Sequence, residues 1–455
     1  MHAEAKTQPY WMRIAHPPAR PRLSEDSSAD VVIVGAGLTG LWTAHYLLGR
    51  DPGLDIVVLE AETVGYGASG RNGGWVSNLI PGHAGRLAAR YGRASVDSFR
   101  DAVRDSVTET VRAAEELSID ADIVRPGTVS VALTPAQAAR QRRRVAAARP
   151  QDGLKLLAPH EVDERMRVAG NLGGVFNPFV ARVHPGKLVD GIARSLTERG
   201  VRVFEHTPVE TIAAGRVTTA LGTSVTAPVV VRATEGFAPQ QGSREFLAMN
   251  SHMIITRPQS DRFWDEVGWS GHELISDAAH DYVYGQRTSD GRIALGGRGV
   301  PYVYGNGFDL TAPTPRSTVS TLRASLRRMF PTIDVGELEE SWSGVLAVSR
   351  DWNARVTWNR SSGLAAAGGY VGHGVAPANL AGRTLADLIT GTESPLTALP
   401  WVNHTSRSWE PEPLRWLGVR SVYSAYRAAD TLETARFDER TSRIATLADR
   451  ISGRP

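Results

Sequence analysis

The stretch from Asp30 to Glu60 constrains the fold more than any other part of this 455-residue chain. Asp30-Val-Val-Ile-Val34 is a short β-branched run, the signature of a strand buried on both faces. It leads into Gly35-Ala-Gly-Leu-Thr-Gly40 and then an apolar, helix-favouring stretch to Leu48. After a loop over Gly49–Gly53, Asp55-Ile-Val-Val-Leu-Glu60 supplies a second buried strand that ends in an acid. Strand, glycine turn, helix and strand within about 30 residues make a βαβ unit, which commits this part of the chain to a parallel sheet. In such a unit Gly35, Gly37 and Gly40 permit the tight turn and the close approach of a pyrophosphate. Leu38 and Thr39 open the helix whose N-terminus favours its charge, and Glu60, with Ala61 after it, reaches ribose hydroxyls. The glycine pattern serves NAD and FAD alike, so the unit specifies a dinucleotide and leaves its identity open.

The length favours two domains sharing one body. Helical spacing over 84–120 and 134–148, the second opened by Thr134 as N-cap and Pro135 in the first turn, flanks a strand over Gly127–Leu133. Gly186–Gly200 reads as a helix, Val201–Glu205 as a strand and Val229–Ala233 as a buried strand. From about 241 to 350 the pattern changes to strand-like pieces carrying aromatic residues, among them Met253–Thr256, Tyr282–Gln286 and Arg292–Leu295. Leu364–Ile389 then returns to a glycine-rich strand and helix. The expected class is α/β with an α+β substrate part: a discontinuous Rossmann-like cofactor domain over 29–83, 176–240 and 351–400, and an antiparallel-sheet substrate domain over 84–175 and 241–350. A helical extension, 401–455, carries Val419, Val422, Tyr423 and Tyr426 at helical spacing and is expected to pack across the body.

Composition narrows the partners. A net charge of +3 is too small to drive long-range attraction to nucleic acid or an anionic membrane, so a small molecule is expected. Arg140-Gln-Arg-Arg-Arg144 is a local basic run, read as the solvated side of a helix. With no cysteine there is no disulfide, thiolate metal site or cysteine nucleophile, and no metal site is expected. The first 30 residues lack the apolar core of a secretory signal, and Val31–Leu48, broken by glycines and His45, reads as strand, turn and helix rather than a membrane span. A cytoplasmic location is expected, and oligomeric state is left open.

Two further glycine loops identify the cofactor. Gly67-Ala-Ser-Gly-Arg-Asn-Gly-Gly74 follows Glu60, and Gly368-Gly-Tyr-Val-Gly-His-Gly-Val375 lies near the far end. Between them come His184-Pro-Gly-Lys-Leu188, Thr207-Pro-Val209 and Ala233-Thr-Glu-Gly236. From about residue 29 to 400 this combination resembles the D-amino-acid oxidase family of FAD-dependent oxidoreductases, and within it the branch containing γ-glutamylputrescine oxidases. The resemblance implies an FAD-binding domain in which Gly67, Ala68, Ser69, Gly70, Arg71, Asn72, Gly73 and Gly74 run along the pyrophosphate and flavin. It implies that Gly369, Gly372, His373, Gly374 and Val375 close under the flavin ring, that the Val209 backbone meets the adenine, and that Thr234 lies beside the cofactor. Arg71 and Asn72 occupy the region where histidine-linked relatives carry their flavin ligand, and a cysteine link is excluded, so non-covalent FAD is expected.

The substrate side departs from the amino-acid oxidases. Their Trp-x-Gly-x-Arg-Pro motif is here Trp342-Ser-Gly-Val-Leu-Ala347, with Asp351 at the matching distance, so Leu346 stands where the carboxylate-binding arginine would be. A buried carboxylate without a cation is strongly disfavoured, and only another arginine, such as Arg298, would restore that contact. Tyr282, Tyr284 and Trp342 are candidates for an aromatic wall that accepts an amine. Tyr284 and His373 are the candidate catalytic residues. Ala294 falls near the place where sarcosine oxidases carry a lysine that promotes reaction with oxygen, so oxygen and another electron acceptor both stay open. Amine oxidation in the family is hydride transfer to flavin N5, giving an imine and then a carbonyl, with orientation and water exclusion as the protein's share. The expected substrate is a small primary or secondary amine: an acylated polyamine, an amino alcohol or an aminophosphonate. An amino-acid oxidase or dehydrogenase, a hydroxy-compound dehydrogenase such as one for glycerol 3-phosphate, and a flavin-binding module without turnover are the alternatives.

Overall fold

A computed structural model describes residues 8–241, 244–297, 299 and 301–454. A six-stranded sheet runs in the order Arg355–Asn359, Leu364–Gly368, Val229–Arg232, Val31–Val34, Ile56–Leu59, Arg202–Phe204. Every neighbouring pair is parallel except the edge strand Arg355–Asn359, which is antiparallel. All four residues of Val31–Val34 and of Ile56–Leu59 are buried, as continuous β-branched and leucine runs require in a sheet covered on both faces. Their register pairs Val34 with Leu59, so the glycine turn after Val34 emerges beside Glu60. The helices Leu38–Arg50 and Val375–Thr390 cross closely over this sheet; a Cβ on Gly382 would lie 2.7 Å from the Trp42 carbonyl carbon, so only glycine permits the approach.

An eight-stranded sheet forms the other half, in the order Leu338–Val348, Leu247–Thr256, Ile293–Gly297, Val283–Arg287, Leu274–Asp277, Thr128–Val131, Gly174–Asn177, Lys155–Leu157. It is antiparallel except where Leu274–Asp277 lies parallel to Thr128–Val131. Gly174–Asn177 belongs to this sheet, so the chain returns to the cofactor half after it rather than at residue 176. The helical stretch 84–120 divides at Gly92, whose φ of 88° ends Ala84–Tyr91 before Arg93–Glu116 begins. Thr134 caps Pro135–Ala146 as its position predicts, accepting from the Gln137 N–H.

Two elements were not visible in the residue pattern. The polar N-terminal stretch contains the helix Tyr10–Ala15, which buries Tyr10, Trp11 and Met12, so ordered structure begins well before residue 29. Ser27–Ser28, Val209–Ala213, Arg216–Thr219 and Ser224–Thr226 form a separate four-stranded sheet. The C-terminal stretch forms Leu414–Arg436 and Arg443–Ser452; Val419, Val422, Tyr423 and Tyr426 are buried together with Leu247, Met249 and Val348 of the large sheet. No described helix is long and apolar enough to cross a membrane.

Candidate active site

A cavity of about 1160 Å³ runs along the glycine loops and under the large sheet. That exceeds the ~300–1,000 Å³ of an ordinary ligand pocket and leaves room for a dinucleotide together with a second molecule.

At one end, Gly35, Gly37, Leu38, Thr39, Glu60 and Ala61 line the wall, with Val209 opposite. Gly35 has a φ of 108°, and a Cβ there would lie 2.6 Å from the Ala233 carbonyl. Glu60 accepts hydrogen bonds from the N–H groups of Ala36 at 2.9 Å and Glu62 at 3.1 Å. Burial nevertheless pushes its carboxyl up to about 7, so the site gains from hydroxyl donors brought by a ligand. The helix Leu38–Arg50 opens without a side-chain cap, leaving N-terminal N–H groups for an anion. The Thr234 hydroxyl lines the same cavity, buried and without a hydrogen-bond partner.

The next section is the loop Gly67–Gly74. Ser69 accepts from the Leu38 N–H at 2.8 Å, tying this loop to the first glycine turn. Asn72 folds the loop upon itself: its amide donates to the Ser69 carbonyl at 2.7 Å, and its Oδ1 accepts from the Gly74 N–H at 2.7 Å. Arg71, 3% exposed, donates to the carbonyls of Tyr66, Leu310 and Ser343, which lock the loop to the strand Leu338–Val348. Among the described residues no acid lies within salt-bridge reach of it, and burial lowers its pKa. From outside, the Trp11 indole donates to the Asn72 carbonyl and the Trp342 indole to that of Arg71, each at 2.9 Å.

Trp342 therefore does not line the cavity as an aromatic wall. Its indole is buried among Tyr10, Trp11 and Met253 and holds loop backbone instead. Gly40, Gly70, Gly74 and Gly369 likewise lie behind the lining: Cβ atoms there would strike the Gly35 carbonyl, Met12, Gln286 and Phe246. Their contribution is close packing that shapes the wall.

The closing loop contributes Gly372, His373, Gly374 and Val375 to the lining, with Tyr370, whose hydroxyl lies 3.0 Å from Thr39. Glu235, which the sequence reading passed over between Thr234 and Gly236, holds this loop. Its carboxylate accepts from the N–H groups of Gly369 at 2.8 Å, Ala347 at 3.2 Å and Tyr370 at 3.4 Å. Burial raises its pKa to about 7 against those bonds. An acid after a strand and before a glycine was the signal available, but its three partners lie more than a hundred residues away.

Tyr282 and Tyr284 both face the cavity, their rings 6.3 Å apart. The Tyr284 hydroxyl lies 2.9 Å from Ser251, and its ring passes between Gly73 and Gly296, where a Cβ would approach to 2.7 and 2.4 Å. Leu346 lines the wall nearby. Arg298 lies outside the described residues. Beyond the tyrosines the cavity is bounded by Ser130, Ser276, Asp277 and the helix Pro135–Ala146. The solvated reading of the basic run holds for Arg142, Arg143 and Arg144, which are exposed, while Arg140 is half-buried; Arg140 and Arg144, one turn apart, also border the cavity. Arg140 pairs with Glu433 at 2.7 Å and donates to the Ala278 carbonyl.

An uncapped helix N-terminus, an acid short of donors, an orphaned hydroxyl and three glycine loops around one long cavity fit an adenine dinucleotide. The sequence profile of the FAD dependent oxidoreductase (DAO) family matches residues 30–388. The chain belongs to that family. Among curated DAO-like relatives, a probable oxidoreductase, OrdL, of Rhizobium meliloti is 28% identical over 403 residues, covering 86% of this chain and 90% of its own. Gamma-glutamylputrescine oxidoreductase of Escherichia coli is 29% identical over 381 residues, 81% of this chain and 85% of its own. Glycine oxidase from Geobacillus kaustophilus shares the fold with a TM-score of 0.69 at 21% identity, covering 84% of this chain and all of that one. L-proline dehydrogenase from P. horikoshii does so with 0.66 at 21%, covering 82% and 96%. As a DAO-family member the chain is an FAD-dependent oxidoreductase.

Proposed function

We propose that this chain oxidises the C–N bond of a small primary or secondary amine that lacks a carboxylate beside the reacting nitrogen. The observation that carries the reading is Leu346, an apolar side chain in the cavity wall where a carboxylate would need a guanidinium. Bound FAD supplies the hydride acceptor. The chain's own part is placement and exclusion of water. Tyr284, anchored through Ser251, and Tyr282 give an aromatic face against which an amine can lie, and His373 presents a ring from the closing loop. The similarity to gamma-glutamylputrescine oxidoreductase supports an acylated polyamine over an amino alcohol or aminophosphonate. Oxygen or another electron acceptor then completes turnover.

The test is anaerobic titration of the FAD-loaded protein, following loss of flavin absorbance as monoacylated diamines, amino alcohols, aminophosphonates, glycine and glycerol 3-phosphate are added singly. Bleaching by amines without an adjacent carboxylate, and not by glycine, is expected. Bleaching confined to glycine or to glycerol 3-phosphate would reject the reading.

A further inference from the structure

The cavity has a second aromatic wall, at the other end of the loop Gly67–Gly74. Tyr284 packs on Gly73, whereas Phe237 packs on Gly67, where a Cβ would come within 2.9 Å of its ring. The Phe237 ring centre lies 5.5 Å from that of Phe308 and 6.3 Å from that of Tyr66, and all three rings line the cavity. Leu310 and Val345 back them, and the Arg71 guanidinium sits 5.0 Å from the centre of the Tyr66 ring.

The two walls differ in chemistry. Beside Tyr282 and Tyr284 stand Ser251 and Asp277, polar groups suited to an amine. The second wall offers the Tyr66 phenol and otherwise carbon. Asp309, the acid within this stretch, turns its carboxylate back onto the N–H groups of Thr311 and Ala312, at 2.8 and 3.2 Å. Such a wall favours a flat neutral ring over a charged amine.

Phe308 stands at the rim, half-buried between the exposed Gly307 and Asp309. Four residues earlier the same loop turns Val303 and Tyr304 outward, Tyr304 being 57% exposed. Tyr304 meets Trp416 edge-on, and Leu414 and Leu417 on the same turns of that helix are exposed as well, Leu414 by 62%. The loop is tied down here, since the Tyr302 hydroxyl and the Gly305 N–H both donate to Glu412. Scattered exposed apolar residues are ordinary. A cluster held in place and continuous with the apolar wall of a cavity marks the route of an apolar ligand.

We propose that Tyr66, Phe237 and Phe308 receive the ring of a prenylated quinone, the oxidant that completes turnover, and that its tail leaves over Val303 and Tyr304. The inference rests on the amine-oxidation reading for its place in the reaction. Each amine oxidised to an imine gives up two electrons and two protons. The quinone takes both electrons and both protons and departs as the hydroquinone, so the cofactor returns to its oxidised state without oxygen. The Tyr66 phenol donates to a quinone carbonyl, and the two phenylalanines offer faces and edges to its ring.

The test needs no amine. The FAD-loaded protein, reduced under argon with one equivalent of dithionite, is mixed with a dimethoxymethylbenzoquinone carrying either a diprenyl tail or none, and recovery of flavin absorbance is followed. Binding of each quinone to the oxidised protein is measured by calorimetry. Saturable reoxidation is expected, with a half-saturation concentration and a Kd about 10-fold lower for the tailed quinone. Phe308→Ser should raise both quantities about 10-fold for both quinones, and Phe308→Tyr should restore most of the loss. Tyr304→Ser should weaken the tailed quinone alone. Reoxidation that rises linearly with quinone concentration and no calorimetric binding, or indifference of both quinones to Phe308→Ser, overturns the site. Equal affinity for the tailed and tail-less quinones overturns the route over Tyr304. Failure of every amine to bleach the flavin would reject the amine reading and leave the quinone result standing.

Discussion

Glu60 and Glu235 show how one residue type does opposite work on the two sides of the cofactor cavity. Both carboxyls are pushed up to about 7 by burial, yet Glu235 is enclosed by three backbone donors and Glu60 by two, beside the space where ribose would lie. Glu235→Ala strands three N–H groups, each at a cost of about 1–3 kcal/mol when buried. A fall in thermal midpoint and loss of FAD during gel filtration are expected, with Glu235→Gln milder because its amide oxygen still accepts. Glu60→Gln tests the other role through its pH dependence. Between the unfolded value of 4.5 and the folded value of about 7, the native apoprotein holds a proton that the unfolded chain has released, so Glu60 costs stability as pH rises through that window. Apo Glu60→Gln should therefore gain stability relative to the unsubstituted apoprotein from pH 4.5 to 7 and gain no more above it, while binding FAD less tightly at pH 8. Urea unfolding at several pH values and flavin titration measure the two effects; a pH-independent difference would show that Glu60 does not titrate in that window.

At the level of elements, the strand, turn and helix beginning at Val31 were legible because their periodicity and glycines act locally, over neighbours in the chain. The helix Tyr10–Ala15 was not: six residues are too few to display an apolar face, and Trp11 finds its partners at Asn72, His184 and Trp342. The basic helix formed where expected and keeps Arg142, Arg143 and Arg144 exposed, but spacing could not say that Arg140 and Arg144 border a cavity. Trp342 was misplaced because a motif position carries no information on where the indole turns. The N-terminal helix yields a prediction of its own. Trp11→Phe keeps an aromatic ring but removes the donor to Asn72 and part of the indole's volume, so it should cost about 1–3 kcal/mol. Trp11→Ala, at a site only 1% exposed, should cost about 3–5 kcal/mol. Because Trp11 supports the loop from behind, both should weaken FAD retention in the same order as stability, measured by calorimetry and by residual flavin absorbance after dialysis.

Across the whole molecule, the C-terminal helices pack on the eight-stranded sheet. Glu433, buried on the helix Leu414–Arg436, accepts from Arg140, from the Ser442 N–H and, at 3.0 Å, pairs with His280 Nε2. Burial alone would raise its pKa, but these partners outweigh it and hold the carboxyl down at about 2. The same acid thus fixes Arg140, one turn before Arg144, and joins it to the Ala278 loop beside Asp277. Breaking a buried ion pair by removing one partner costs about 3–5 kcal/mol, because the remaining charges are left without compensation. Glu433→Gln should therefore lower the thermal midpoint and weaken amine binding, while the glycine loops, which it does not touch, keep their FAD. The measurement is paired: flavin content after purification and the dependence of the anaerobic bleaching rate on amine concentration. A raised half-saturation concentration with full flavin content is the signature of a tail that positions the far wall; loss of both together would mean that the two sheets unfold as one cooperative unit.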